Sequence, residues 1–313
     1  MNTAKKSTSK TDTTTNILDR STLGINLRIL SGLLAAGMFI CIKAASDEVP
    51  LGEVVFFRSF FAILPLIIFL WLRKEFPSGL ATKRPLDHLL RASLGTLAMF
   101  CAFAALARLN VAEAILIAQL SPLLTAIAAI LLLSERLTIF RIGGIALGFS
   151  GVVTLVWPEL GGDGENENRL FGVIFGLVSA VLSSLALIMV RRLNQTESPG
   201  AIALYFVLAS MVGGLLTLPW GWVMPEGMTL LYLISAGVFG GFAHIAMTLS
   251  FRYAEASRLA PFEYLALFWP LLADLFIFHL SISATFLISA PLVLAGAALA
   301  SAERKKRSKI KRI

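Results

Sequence analysis

The chain has 313 residues, of which 57% are hydrophobic and only 15% are charged, and its mean hydropathy is +0.81. A soluble globular chain is about 45–50% apolar and about 25% charged. A soluble fold could not bury this much apolar side chain, so the composition indicates a membrane protein. The net charge of +8 does not point to nucleic acid, because the basic residues occur in short clusters between apolar segments.

Apolar segments long enough to cross about 30 Å of hydrocarbon recur along the chain and predict transmembrane helices. The polar segment 1–27 precedes the first of them and lacks the features of a cleaved signal peptide, so it is predicted to be a disordered tail. In chain order, the ten predicted spans are 29–45, 54–72, 89–107, 112–133, 139–157, 170–190, 201–220, 230–251, 259–278 and 282–302.

The distribution of Lys and Arg predicts how these spans are oriented. With the N-terminus in the cytoplasm, most of the 27 basic residues fall in cytoplasmic segments, and these include the C-terminal tail 303–313. The segments predicted to be external, such as 47–48 and 159–167, are acidic instead. Removing any one span would scramble this alternation, so we predict ten spans with both termini cytoplasmic. The basic tail is interpreted as a topology anchor, and binding of anionic lipid is the alternative.

The two halves of the chain are weakly similar to each other. Ala112 and Gln119 in span four match Ala256 and Glu263 in span nine at a constant offset, and a polar external linker at 158–169 separates the halves. The repeats are therefore predicted at 28–157 and 170–302. Because each repeat holds five spans, an odd number, the second must insert upside down. This predicts an all-α membrane fold of two inverted five-helix repeats, an architecture that recurs in secondary transporters.

Four segments resemble a known family: EVVFFRSFF at 53–61, the stretch 112–138, the glycine-rich run 143–153 and the stretch 256–269. The pattern resembles EamA-type transporters of the drug/metabolite transporter superfamily and covers nearly all of residues 25–302. The resemblance implies a carrier that acts by alternating access in a bacterial cytoplasmic (inner) membrane. Segment 53–61 and the APFEY motif look most like bacterial riboflavin transporters, which implies riboflavin uptake. Export of amino acids or drug-like metabolites and transport of S-adenosylmethionine are the alternatives.

Ionisable side chains at helix depth are candidates for substrate binding or ion coupling, because inserting them into a membrane costs a few kcal/mol. Arg58 in span two is predicted to bind an acidic or carbonyl-bearing substrate or to pair with Glu263; the alternative is that it extends to the outer membrane surface. Glu263 and Asp274 share one stripe of span nine and are expected to face an aqueous cavity or partners within the protein, because lipid would penalise them. Glu263 is a candidate for substrate binding or proton coupling, and helix anchoring is its alternative role.

Four further residues complete the candidate site. Gln119 offers a neutral polar contact at the position that matches Glu263. His244 in span eight is interpreted as a proton relay or substrate contact, or as a neutral histidine bonded to a neighbouring helix. Tyr264 and Trp269 give span nine an aromatic side that would hold a planar ring, although packing and lipid contact also explain such residues.

Other classes of protein lack support in the sequence. The chain has no HExxH, GxSxG or GxxxxGK motif and no Cys/His cluster, so we predict no enzyme, no catalytic residue, no metal site and no cofactor. A channel would need polar rings along a pore, whereas the polar residues here are isolated. The expected partners are a small-molecule substrate, with riboflavin suspected, and membrane lipid, without nucleic acid. Assembly as a homodimer stays open.

Overall fold

The computed structural model describes residues 9–77, 80–133, 139–158, 164–194, 196–254, 259, 262 and 265–310. Across these residues the regular structure is helical and contains no strand. Short 3₁₀ helices lie at Leu218–Trp220 and Leu265–Leu267. The described α-helices are α1 (Ser9–Ala45), α2 (Leu51–Leu72), α3 (Pro85–Arg108), α4 (Val111–Ala118), α5 (Ser121–Leu133), α6 (Ile139–Val156), α7 (Gly164–Leu193), α8 (Pro199–Leu215), α9 (Gly227–Tyr253), α10 (Phe268–Phe276) and α11 (Ala284–Ile310).

Six helical segments in the described part of the chain are long and apolar enough to cross a membrane. Five lie within α1, α2, α3, α7 and α9, and the sixth comprises α8 and the 3₁₀ helix that follows it. Shorter apolar helical segments occur at Val111–Thr125, Ile142–Val156, Leu265–Phe276 and Ala284–Ala300. Large apolar side chains such as Leu64 and Leu287 are exposed on the outer surface, where lipid would cover them. The chain is thus an all-helical, multi-pass membrane protein. The count of ten spans and the orientation of the termini stay predictions.

The first helix extends further toward the N-terminus than the apolar pattern indicated. α1 begins at Ser9, so the structure has helix at 9–27, where the sequence predicted a disordered tail. A Cβ added at Gly24 would lie 2.6 Å from the Cβ of Ala254 and 3.2 Å from the carbonyl oxygen of Ser250, which shows that α1 packs closely against the end of α9 here. This contact lies ahead of the first predicted span, which begins at residue 29.

Span four, predicted as one helix over 112–133, is instead two helices. α4 ends at Ala118 and α5 begins at Ser121, with a turn at Gln119 and Leu120 between them. Pro122 lies in the first turn of α5, where its missing N–H costs nothing, but its ring disfavours helical continuation from α4. The corresponding span nine contains the 3₁₀ helix Leu265–Leu267 directly before α10.

The six long helices pack around the centre of the molecule, and the remaining helices pack beside them. α1 packs along α9, α3 packs along α7, and α2 contacts both α8 and α9. α6 packs along α11 where glycines face each other: a Cβ added at Gly296 would lie 2.6 Å from the Gly144 carbonyl oxygen. Small residues let membrane helices approach this closely.

Candidate functional site

A cavity of about 330 Å³ lies between the six long helices, and each of them contributes to its wall. The wall combines phenylalanine rings and methionine thioethers with a small number of polar side chains. A cavity of this size, largely apolar with a few convergent polar groups, has the usual character of a small-molecule site. The aromatic, sulfur-containing and polar lining residues are Met38, Phe39, Arg58, Arg91, Met99, Phe103, Ser179, Ser183, Phe206 and His244.

Arg58 extends from α2 into this cavity and is 3% exposed, so its side chain does not reach the membrane surface as the alternative interpretation would require. Its Nη1 lies 3.5 Å from the Met99 sulfur and its Nη2 lies 3.6 Å from the Met38 sulfur. Thioether sulfur is a weak acceptor and carries no charge to balance the guanidinium. The buried Nε atom has no hydrogen-bond partner in the described structure. The predicted partner Glu263 lies outside the described residues.

Arg91 lines the same cavity, although it was not among the predicted site residues. It lies near the start of the predicted span 89–107 and, because α3 begins at Pro85, in the second turn of that helix. Its Cζ atom lies 4.2 Å from the centroid of the Phe206 ring, a cation–π contact. Its buried Nε and Nη1 atoms have no hydrogen-bond partner among the described groups. Two guanidinium groups from different helices therefore face one cavity.

A sequence signal for Arg91 was present in two places. Proline is favoured in the first turn of a helix, so Pro85 indicates an earlier start for α3 than the apolar run does. Gly95, Ala98 and Ala102 then follow Arg91 on one face at helical spacing, and all three line the cavity. A Cβ added at Gly95 would lie 2.9 Å from the Phe206 ring and closer still to Nη1 of Arg91. The glycine thus leaves room for the guanidinium.

His244 is the third basic side chain of the cavity, and it lines the same wall as Arg58. It is half-buried in α9, and its ring lies close enough to Arg58 and Arg91 to interact electrostatically with both. The Ser179 hydroxyl donates a 2.8 Å hydrogen bond to the Ala98 carbonyl and so connects α7 to α3. The described wall holds three basic groups and no carboxylate.

The other predicted site residues lie elsewhere. Gln119 forms the C-terminal cap of α4 and is half-buried outside this cavity. Trp269 packs edge-on against Phe268 with ring centroids 5.4 Å apart, and its buried Nε1 has no described partner. Neither residue lines the cavity between the long helices. Glu263 and Tyr264 lie outside the described residues.

Asp274 faces partners within the protein and not an aqueous cavity, which is the second of the two alternatives expected for it. Its Oδ1 accepts a 3.0 Å hydrogen bond from the Val111 N–H and its Oδ2 accepts a 2.7 Å hydrogen bond from the Ala112 N–H. A carboxylate at a helix N-terminus satisfies otherwise unpaired N–H groups and favours the helix dipole. Asp274 is 3% exposed, and the adjoining space of about 10 Å³ is too small for a metabolite. The residue therefore caps α4 from α10.

Further paired charges surround this cap, at the junction between α3 and α4. Lys43 Nζ donates to the carbonyl oxygens of Leu106 at 2.9 Å and Leu109 at 3.0 Å, at the C-terminal end of α3. The Glu113 carboxylate completes the capping box of α4 and forms a 3.0 Å ion pair with Arg169. We call Lys43, Glu113, Arg169 and Asp274 the junction cluster. Each of its charged groups has an identified partner.

Comparison with known proteins gives one consistent class. Residues 22–157 match the EamA-like transporter family. The chain is 28% identical to the pseudopaline exporter of Pseudomonas aeruginosa, over 80% of this chain and 86% of that protein. It is 28% identical to the riboflavin transporter of Rhizobium johnstonii, over 78% and 79% of the two chains. It is 27% identical to the S-adenosylmethionine uptake transporter of Rickettsia felis, over 82% and 84%.

The fold and these comparisons together define the chain as a multi-pass membrane transporter and not an enzyme. More particularly, it is a transporter with an EamA-family domain at residues 22–157. The EamA family is part of the drug/metabolite transporter superfamily. A crystal structure with 21% sequence identity shares the fold, with a TM-score of 0.64 over 90% of this chain and 98% of that chain. The relatives have bacterial sources but different named substrates, so membership in the class leaves the substrate open.

Proposed function

We propose that this protein is a secondary carrier that moves one small organic metabolite at a time across a bacterial inner membrane by alternating access. The observation that supports this most directly is the cavity of about 330 Å³ between the six long helices, with its few convergent polar groups. Substrate cavities formed where two repeats meet near the membrane centre are typical of such carriers. Isolated polar residues do not form the rings of a channel, which stays a remote alternative.

The arrangement of the long helices supports the predicted inverted repeats. If α1, α2 and α3 correspond to α7, α8 and α9, a two-fold rotation exchanges the α1–α9 contact with the α7–α3 contact. The same rotation carries the α2–α8 contact and the α6–α11 contact onto themselves. We propose on this basis ten spans in two inverted halves with both termini cytoplasmic, so that rocking of the halves exposes the cavity to each side in turn.

Riboflavin is the first substrate that we propose, because the sequence of segment 53–61 resembles that of riboflavin transporters and the chain is similar to a riboflavin transporter. Phe39, Phe103 and Phe206 in the cavity wall offer faces for a planar ring system. S-adenosylmethionine is the second candidate, supported by a relative of that name with nearly the same identity. Export of an amino acid or a drug-like metabolite on the same scaffold is the third.

Counterflow in proteoliposomes tests the carrier and its substrate together. Vesicles preloaded with unlabelled riboflavin are diluted into labelled riboflavin, and the same assay is repeated with S-adenosylmethionine. A carrier accumulates label transiently above equilibrium because internal substrate drives its return step, whereas a channel only equilibrates. Counterflow with either compound supports the carrier and identifies the substrate. Equilibration without an overshoot contradicts the carrier, and counterflow with S-adenosylmethionine alone contradicts riboflavin.

Glu263 stays the proposed coupling residue. A carboxylate that carries a proton between the two sides would make transport depend on pH, and a glutamine at the same position could not titrate. The Glu263→Gln variant is therefore expected to transport more slowly and to lose the pH dependence of the wild-type protein. Unchanged transport kinetics between about pH 5 and pH 8 would remove Glu263 from any coupling role.

A further inference from the structure

The cavity contains buried positive charge that no described protein group balances. Arg58 is 3% exposed with an unpaired Nε, and Arg91 has unpaired and buried Nε and Nη1 atoms. Burying an ion without a partner is costly, and natural proteins pair almost all such groups. Of the ion pairs formed by described residues, none includes Arg58 or Arg91. The free-energy cost of burying these cations is explained if a ligand supplies the missing partner.

The surrounding helices keep space for both guanidinium groups. A Cβ added at Gly240 would lie 2.8 Å from the Met38 sulfur and 3.2 Å from Nη2 of Arg58. Gly95 has the same relation to Arg91 and the Phe206 ring. The two glycines lie on different helices, α9 and α3, and each leaves room at the guanidinium of a neighbouring side chain. The positions of the two arginines are therefore built into the packing and are not a result of loose side chains.

The remaining wall defines what kind of ligand would complement these charges. His244 adds a third basic group close to both arginines, and the described wall contributes no carboxylate. Phe39 and Phe103 give the rest of the surface an apolar and aromatic character. Guanidinium groups match carboxylate and phosphate oxygens in geometry as well as in charge, often through two parallel hydrogen bonds. A neutral ligand would leave most of this donor capacity unused.

From these contacts we infer that the cavity binds a metabolite with an oxyanion, a carboxylate or a phosphate, held by Arg58 and Arg91, with its apolar or aromatic body against the phenylalanine rings. This inference rests on the proposed function, in that the transported molecule occupies this cavity. It narrows the substrate class, because it favours an anionic metabolite over a neutral one of the same shape. It therefore competes with neutral riboflavin, the first substrate proposed above, and the binding assay below decides between them. The bound oxyanion would supply the partner that no described protein group supplies to the two guanidinium groups.

A binding assay on the purified full-length protein in lipid nanodiscs tests the inference with matched pairs of ligands. Phenylacetate and phenylacetamide differ by the carboxylate, and riboflavin 5′-phosphate and riboflavin differ by the phosphate. We expect the charged member of at least one pair to bind at least about tenfold more tightly, which corresponds to about 1.4 kcal/mol. The pair that shows the difference identifies carboxylate or phosphate as the preferred group. Equal affinity within both pairs overturns the inference.

Substitutions assign the effect to the two arginines. Arg58→Gln and Arg91→Gln are each expected to reduce the preference for the charged member by about tenfold, and the lysine variants are expected to keep part of it. Arg73→Gln is the matched control. Arg73 caps the C-terminal end of α2, the helix that carries Arg58, and it does not line the cavity, so the variant removes the same charge outside the proposed site. A preference that survives both glutamine substitutions contradicts the assignment.

Binding and transport results separate the two proposals. Selective binding of the anion without counterflow of any compound would support the oxyanion site and contradict the carrier. Counterflow with equal binding of charged and neutral members would support the carrier and overturn the oxyanion site. A circular-dichroism spectrum and a size-exclusion profile like those of the wild-type protein show that each variant is folded, and the lysine variants provide the comparison where a glutamine variant is not.

Discussion

The cavity and the junction cluster both bury charged side chains, but they differ in whether these side chains have hydrogen-bond partners within the described protein. At the junction, Asp274 accepts two backbone N–H groups and Lys43 donates to carbonyl oxygens at the end of α3. In the cavity, Arg58 and Arg91 keep nitrogen atoms without any described partner. Buried charge that is fully paired within the protein holds helices together, whereas buried charge that is left unpaired is available to a ligand. Whether a buried charged group has partners within the protein thus distinguishes structural residues from binding residues better than its degree of burial does.

The largest effect on stability is expected from Asp274→Ala. The substitution leaves the N–H groups of Val111 and Ala112 unpaired at a buried helix N-terminus, and each such group costs about 1–3 kcal/mol. We expect a loss of about 2–5 kcal/mol in the free energy of unfolding, measured by denaturant or thermal unfolding in detergent. Asp274→Asn keeps one acceptor oxygen and should lose less. A wild-type midpoint for the alanine variant would show that the cap contributes nothing.

A smaller loss is expected from Lys43→Met, which keeps the length and apolar stem of the side chain. The ammonium group bonds to carbonyl oxygens that would otherwise be unpaired at the C-terminal end of α3, where the helix dipole favours positive charge. We expect a loss of about 1–2 kcal/mol in the same unfolding assay. Lys74→Met at the exposed end of α2 is the control. An equal effect of the two substitutions would contradict the role assigned to Lys43.

The smallest expected effect is on affinity and comes from Gly240→Ala. The added methyl group would press on the Met38 sulfur and on Nη2 of Arg58 and so shift the guanidinium. We expect anion binding to weaken by about three- to tenfold with little change in the thermal midpoint. Gly143→Ala is the control, since its Cβ would meet only the Leu299 side chain at 3.4 Å. Identical affinities of the two variants would mean that the cavity does not depend on the exact position of Arg58.

The sequence predicted the class of protein and singled out two of the residues that line the cavity. Composition alone indicated a helical membrane protein, because apolar side chains in this proportion need lipid around them. Arg58 and His244 were found because each interrupts an apolar run, which makes an ionisable residue visible without a structure. Arg91 was missed, since it follows closely on the basic residues Lys83 and Arg84 and looks like part of their cluster.

The role of Asp274 could not be predicted, for a different physical reason. The N–H groups that it accepts belong to Val111 and Ala112, more than a hundred residues earlier in the chain. Helical periodicity identifies the face on which a side chain lies, but it does not identify the element that packs against that face. The interruption of span four had a local signal in Pro122, but a proline does not by itself end a membrane helix, since Pro65 and Pro291 lie inside α2 and α11.

Arg58→Leu tests most directly the claim that Arg58 is buried to bind a ligand and not to stabilise the fold. The stability of the ligand-free protein and its binding of the ligand are expected to change in opposite directions. Arg58 is a buried cation without a charged partner among the described residues, so replacing it by an apolar side chain of similar bulk should raise the free energy of unfolding of the ligand-free protein by about 1–3 kcal/mol. The same variant should lose the thermal stabilisation that the charged ligand gives the wild-type protein. A lower midpoint without ligand, together with an unchanged response to the ligand, would show that Arg58 holds the fold together and does not bind substrate.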